Sequence, residues 1–209
     1  TTLRNHFRDD FSSFHVVNYD ETTGSPIHRQ TCQGFSDNST WARGQAWAIY
    51  GYTMMYRETL IPEYLEAAKK FTAYFVNHLE KDLIPLWDFN AGQDGYIPDG
   101  NSYAKNFSGT NSGPRDASAA AIVCSALFEL GEITKDKYYT DTAIKMLKSL
   151  ASPIYRAELG TNANFMIMHC TGSIPPQSEI DQPLVYADYY FTEALTRYKR
   201  LLTKGSIYQ

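Results

Sequence analysis

Cysteine is scarce and unpatterned in this 209-residue chain: Cys32, Cys124 and Cys170 lie far apart, odd in number, with no CxxC pair and no Cys/His ligand spacing. They read as free thiols, which excludes a disulfide framework and a cysteine-built zinc site. An excess of either charge is also lacking. Nineteen Lys and Arg stand against 23 Asp and Glu, for a net charge of -4. The basic residues are scattered, so there is no electrostatic footprint for DNA or RNA. No apolar run approaches a membrane span, and the first residues read as neither a Met start nor a signal peptide. Thr1 opens on what looks like a helix tail, which predicts that the chain begins inside a longer protein. At this length it holds enough residues for a real core, and nothing in it suggests disorder. We take residues 1–209 as a single domain.

Aromatic residues are abundant, with 16 Tyr, 11 Phe and 3 Trp. That composition fits aromatic-lined helices, a carbohydrate grip, or both. The densest point is Trp41-Ala42-Arg43-Gly44-Gln45-Ala46-Trp47, at what reads as the opening turn of a helix. Indole faces stack on pyranose C–H surfaces, Arg forks onto a carboxylate, and Gln bonds ring hydroxyls. This is the residue set of a pocket for an anionic sugar. The plainer reading of the same seven residues is a buried Trp pair beside a surface Arg.

Five helical patterns follow. One starts near Thr40 or Gly44 and runs to Glu58, with Trp47, Tyr50, Met54 and Met55 on one face. The next takes Pro62 in its first turn and carries Leu65, Ala68, Phe71, Phe75 and Leu79. A third is capped by Asp116, is small and apolar nearly all round, and stops at Gly131; it should be fully buried. Its partner, from about Tyr138 to Leu150, places Tyr139, Ala143, Met146, Leu147 and Leu150 on one stripe. The fifth runs from about Tyr186 to Leu202 with Tyr189, Leu195, Tyr198 and Leu202 in register. The pairs Arg43-Gly44, Arg115-Asp116 and Ala187-Asp188 recur every 72 residues near helix starts, which suggests a repeat of roughly two hairpins. The segments 82–114 and 152–183 are long and rich in Gly, Pro, Asn, Ser and aromatics. With 30–40 they all precede helices of one set and should gather at one end of the array, the expected place for a site.

The motifs Phe14-His15-Val16-Val17-Asn18-Tyr19-Asp20, Gly34-Phe35-Ser36-Asp37-Asn38-Ser39-Thr40 running into the Trp-Arg-Trp heptapeptide, Arg115-Asp116-Ala117-Ser118-Ala119-Ala120, and Glu179-Ile180-Asp181-Gln182-Pro183-Leu184-Val185-Tyr186-Ala187-Asp188 occur in this order. Together they resemble glycoside hydrolase family 88, the unsaturated glucuronyl hydrolases, over the C-terminal part of that family's domain. The resemblance implies an all-α fold, about half of an (α/α)6 barrel of inner and outer helices. It implies action on unsaturated uronic-acid oligosaccharides that lyases leave from glycosaminoglycan-like polymers. An acid protonates C4 of the enol ether, water adds at C5, and the hemiketal collapses, a scheme that needs an aspartate of raised pKa. It implies no cofactor and no metal. For a bacterial-type enzyme the compartment, cytoplasmic or periplasmic, stays open.

By position, His15, Gln33, Trp41, Arg43 and Trp47 match residues lining the family's sugar subsites, with Gln33 and Arg43 addressing the uronate and the Trp pair stacking. The loop of Ser173 and Ser178 is a further candidate for a sulfate or second sugar. The family's two catalytic aspartates correspond to positions before Thr1, so the catalytic residues of this chain are unknown and the chain alone is expected to be inactive or nearly so. Asp116 reads as an N-cap and Asp188 as a first-turn complement to the helix dipole. Asp37 and Asp181 are weak catalytic candidates, His15 reads as a polar contact ahead of a proton shuttle, and His169 reads equally well as structural. An opened barrel should expose the sides of the helix at 117–130, so either a homodimer or a missing N-terminal half is expected to cover them. Two other readings remain: a non-catalytic carbohydrate-binding or vestigial helical domain, and a helical toroid of another kind such as an epimerase or terpenoid cyclase. The lack of an aspartate-rich metal motif counts against the cyclase.

Overall fold

The run from Ala117 is small and apolar on every side, so it can approach neighbours closely all round, and the other helices pack upon it. In the computed structural model, which describes residues 1–100 and 113–208, this run is helix α4 (Ala117–Thr134). Before it come α1 (Thr2–Asn5), α2 (Ala42–Thr59) and α3 (Pro62–Asn77); after it come α5 (Lys137–Leu150) and α6 (Val185–Lys204). Helix α4 packs against α2 on one side and α6 on the other, with α5 behind it and α3 behind α2. The result is an arc of three inner helices backed by two outer ones. Two antiparallel hairpins sit among the loops, β1 (Val16–Tyr19) with β2 (Pro26–Gln30), and β3 (Cys170–Ser173) with β4 (Ser178–Gln182).

Local chemistry explains the helix ends. Asp116 caps α4, its side chain accepting from Ser118 N, and Asp136 caps α5 in the same way through Tyr138 N. Pro62 opens α3, where its missing N–H costs nothing, and Gly205 closes α6 at φ 75°. The joint between α2 and α3 turns on Leu60, held in the left-handed region at φ 55°.

Several expectations need correction. Helix α4 does not stop at Gly131 but continues to Thr134. Gly131 serves closeness instead: a Cβ there would stand 2.3 Å from Thr140 Oγ1 and 3.1 Å from Thr140 N, so its absence lets α5 lie against α4. Contrary to the search for apolar runs, α4 is long and apolar enough by length and composition to cross a membrane. It is instead wrapped within this chain, every residue from 117 to 131 being buried. The sides of α4 are therefore not the open face. The open faces are on its flanking neighbours: Trp47, Met54 and Met55 of α2 and Tyr189, Leu195 and Leu202 of α6 are exposed. The core side of α2 is built from Ala42, Ala46, Ile49 and Thr53, and that of α6 from Ala187, Phe191 and Ala194. Small residues win those positions because inner helices must approach closely on both sides. The three inner helices open at Ala42, Ala117 and Val185, so their spacing is uneven and the 72-residue period is not a fixed structural repeat.

Gly131 and Gly51 make a matched test. A Cβ at Gly51 in α2 meets nothing within 4 Å, so Gly51→Ala should stabilise by about 0.5–1 kcal/mol through helix propensity. Gly131→Ala should instead destabilise by about 1–3 kcal/mol because overpacking outweighs propensity. Urea unfolding of both variants measures this; a stabilised Gly131→Ala would show that α4 and α5 are not in close contact there.

Candidate functional site

The loops before α2, α4 and α6 meet at the N-terminal ends of the three inner helices. Asp88 ties two of them together from a fully buried position. Its carboxylate accepts from Phe35 N at 2.9 Å, Ser39 Oγ at 2.7 Å and Asn90 N at 3.0 Å. Burial pushes its pKa up, against these hydrogen bonds, which favour the charged form. Beneath these loops Phe35, Trp41, Trp87, Ala91 and Ile174 form a small apolar cluster of their own. Trp87 is fully buried, and its Nε1 donates to Gln33 O at 2.7 Å. The part of this loop set at 101–112 lies outside the described residues.

Arg43 sits in the first turn of α2 and is 2% exposed. Its Nη1 donates to Asp116 Oδ2 at 2.7 Å and to Thr171 O at 2.5 Å, while Nη2 donates to Gly172 O at 2.6 Å. One guanidinium thus joins the start of α2, the cap of α4 and the β3–β4 hairpin. Both Nη groups are held by protein acceptors, as a charge this deep has to be paired within the chain. Asp116 has both roles at once, cap and counter-ion, and is completely buried. Gln33 is drawn into the same arrangement, its Nε2 donating to Gly172 O at 2.9 Å.

His15 lies against the Trp41 indole with ring centroids 4.3 Å apart. Its Nδ1 accepts from Cys32 N at 3.1 Å and Gln33 N at 3.3 Å, so the neutral ring carries its proton on Nε2. Desolvation, and then the charge of Arg43, lower its pKa from 6.5 to about 4. A ring held neutral at pH 7 is a hydrogen-bond donor there rather than a proton shuttle. Trp41 is buried, with the Arg43 guanidinium carbon 4.5 Å from its ring centroid. Trp47 is 37% exposed and meets Tyr190 edge to face at 5.3 Å. His15, Trp41 and Trp47 share one wall of a groove of about 480 Å³ between the N-terminal segment and α2. Its other walls come from Leu3, Phe7, Tyr52, Met55 and Tyr64, and among the described residues no carboxylic side chain lines it. Of the five candidate residues the groove brings three together; Gln33 and Arg43 stand behind them, holding the hairpin.

The remaining candidates resolve into structural parts. Asp37 is buried and accepts from Thr31 N at 2.9 Å, with His28 Nε2 at 3.9 Å. Asp188 accepts from the backbone of Met166 at 2.8 Å and Ile167 at 2.9 Å, fixing the loop before β3 as well as the start of α6. His169 and Asp181 pair on the surface at 2.6 Å. Both have positive φ, 60° and 54°, as do Gln177 and Glu179 in the same hairpin, a concentration of backbone strain beside the site. Ser173 and Ser178 stand opposite each other near the turn of that hairpin. Cys32 is exposed, Cys124 and Cys170 are buried, and all three are free. Among the described residues no group of three His, Cys, Asp or Glu could hold a metal ion. Sequence reasoning missed Asp88 and Arg8. The run Asp88-Phe89-Asn90 carried the signal of an Asx turn. Arg8 carried none, although its Nη2 reaches Asn38 O at 2.7 Å across 30 residues of chain.

An arc of inner helices backed by outer ones, with aromatic loops collected at the inner helices' N-terminal ends, is about half of an (α/α)6 barrel. No family model matches the chain. It is 50% identical over 206 residues to an unsaturated glucuronyl hydrolase of Formosa agariphila, covering 98% of this chain and 48% of that protein. It is 34% identical to an unsaturated chondroitin disaccharide hydrolase of Streptococcus pyogenes, covering 91% of this chain and 45% of that one. Among solved structures, an unsaturated glucuronyl hydrolase specific for heparin superposes with a TM-score of 0.84 at 43% identity, covering 96% of this chain and 51% of the other. The chain belongs to the unsaturated glucuronyl hydrolases of glycoside hydrolase family 88 and spans about half the length of the curated relatives it matches.

Two outcomes follow from this geometry. Asp116→Ala should cost about 3–5 kcal/mol in urea unfolding, the scale for stranding a buried charge, and adding Arg43→Leu should recover part of it. Strictly additive losses would show that the pair is not coupled. His15 is the second case. Its folded pKa lies below its unfolded one, so the unfolded chain binds more protons between them. Its stabilising effect is therefore complete above pH 6.5 and is lost as pH falls toward about 4, up to about 3 kcal/mol in all. Replacing His15 with Gln should flatten the unfolding free energy across that window; an unchanged slope would mean that the ring is not buried neutral.

Proposed function

We propose that this chain, as one domain corresponding to the C-terminal part of the family's barrel, carries one wall of a cleft for an unsaturated uronyl oligosaccharide. The groove of about 480 Å³ carries the reading: it presents one exposed indole from the first turns of α2 and a half-buried imidazole from the segment before β1, the surfaces a pyranose needs. In this reading Trp47 stacks on the sugar and His15 donates from Nε2. Trp41 backs the imidazole, and Gln33 and Arg43 set the hairpin that bears Ser173 and Ser178. A point mutant of the Streptococcus agalactiae unsaturated glucuronyl hydrolase has been solved complexed with dGlcA-GalNAc6S, which supports this class of ligand.

The reaction we assign to the complete barrel is hydration of the 4,5-double bond. A carboxylic acid gives its proton to C4, water bonds to C5 and gives up a proton, and the hemiketal at C5 opens with loss of the aglycone. The absence, among the described residues, of any carboxylic side chain from the groove walls supports placing that acid outside this chain. The chain alone then binds without turnover. The same observation favours a second reading, a non-catalytic carbohydrate-binding domain. The exposed apolar flanks of α2 and α6, with a chain covering 48% of a barrel-forming relative, support completion by a polypeptide bearing the remaining inner helices over self-pairing. Isothermal titration tests the binding claim. The intact chain should bind dGlcA-GalNAc6S saturably, and Trp47→Ala should weaken it by about 1–2 kcal/mol. No binding by the wild-type chain would overturn the proposed grip.

A further inference from the structure

Below the groove the inner helices carry a column of polar residues that the proposed chemistry does not use. On α2 the residues Arg43, Trp47, Tyr50 and Arg57 follow helical spacing down one face, and on α6 Tyr186, Tyr190, Glu193 and Arg197 do the same. They meet across the front of α4 in successive layers. At the cleft Arg43 lies 5.3 Å from the Tyr186 ring centroid. In the next layer Tyr190 receives Trp47 edge-on at 5.3 Å and Tyr50 edge-on at 5.1 Å. One layer further, the Glu193 carboxylate accepts from Tyr50 Oη at 3.1 Å and from Ser125 Oγ of α4 at 2.5 Å, with Arg197 Nη2 at 3.6 Å. The last layer is ionic: buried Glu129 of α4 takes Arg57 at 2.7 Å and Arg197 at 2.9 Å. Apart from the Glu193–Arg197 pair, which lies within α6, each of these contacts below the aromatic layer crosses between helices.

We propose that Glu193 is a positioning residue for the Trp47 indole on the groove wall, fixing Tyr50 and through it the Tyr190 ring that stands behind Trp47. Three facts converge on it. Glu193 is the point where all three inner helices touch one carboxylate. Tyr50 is donor to Glu193 and edge partner of Tyr190, so its torsion cannot drift without breaking one or the other contact. Trp47 has no other ring partner than Tyr190 among the described residues, and so takes its orientation from it. Burial and the Glu193 charge push the Tyr50 phenol up, which keeps it protonated and donating. The role rests on the sugar grip proposed above for its functional meaning, but the packing it asserts does not.

The test uses the intact chain with and without dGlcA-GalNAc6S, reading Trp47 by acrylamide quenching as the difference from a Trp47→Phe variant. Glu193→Ala and Tyr50→Phe should each expose Trp47 to quencher and weaken sugar binding about three- to tenfold, the scale of one edge-to-face aromatic pair. Glu193→Gln, which keeps one acceptor oxygen and offers an N–H to the other hydroxyl's oxygen, should restore affinity to within about threefold of wild type. Should Glu193→Ala unfold the chain, Tyr50→Phe and Glu193→Gln carry the same comparison. Unchanged quenching in Tyr50→Phe overturns the proposal whether or not sugar binds. Raised quenching with unchanged affinity overturns the role at the groove wall. If the wild-type chain binds no sugar, the grip itself fails, and raised quenching then supports only the packing half of the proposal.

Discussion

The Arg43–Asp116 ion pair is the constraint on which the rest of the site depends. Asp116 has no access to water and Arg43 almost none, and charges this deep persist only when they are paired and hydrogen-bonded. Here the partners come from the α4 cap, from Ser118 and from two successive carbonyls of the β3–β4 hairpin. The pair therefore joins three segments far apart in sequence into one rigid floor at the helix N-termini. Arrangement of the groove follows from that floor: α2 starts where Arg43 is anchored, which places Trp41 against His15 and leaves Trp47 one turn on, facing open space.

A polarity gradient runs down the inner face of the arc. The cleft end is ionic through Arg43 and Asp116, the middle is aromatic, and the far end is ionic again through Glu129, Arg57 and Arg197. Aromatic rings in the middle layer contribute area and orientation without charge, which suits a surface meant to meet the apolar face of a sugar. Charges on either side fix the helices that carry those rings. Rigid placement matters because a flexible platform would lose binding free energy to ordering.

The sequence showed the helices, their order and the gathering of loops at one end, because long apolar periodicity and capping residues such as Asp116 are local signals. It also showed that α4 would be buried. It did not say which way α2 and α6 face. Large residues such as Trp47, Met54 and Leu202 look like core by hydrophobicity, yet close approach of inner helices selects Ala and Thr for the packed side. Gly131 was read as a stop because a glycine near a helix end usually is one, whereas the reason for it lies 9 residues on, at Thr140 in the neighbouring helix. The internal pairing of Arg43 was not legible because its partners Thr171 and Gly172 are 128 and 129 residues away. Long-range pairing of that kind leaves no periodic trace.

The chain thus accounts for recognition more fully than for chemistry. It supplies an aromatic, largely apolar wall and a neutral histidine, and among the described residues the groove they form carries no acid. The most direct test of that division follows the ultraviolet absorbance of the 4,5-double bond when the isolated chain is mixed with dGlcA-GalNAc6S at a concentration that saturates its tryptophan signal. The account predicts an absorbance that stays constant over hours while the site remains filled. Loss of the double bond catalysed by this chain alone would contradict it, and would place a catalytic acid among the residues assigned here to structure.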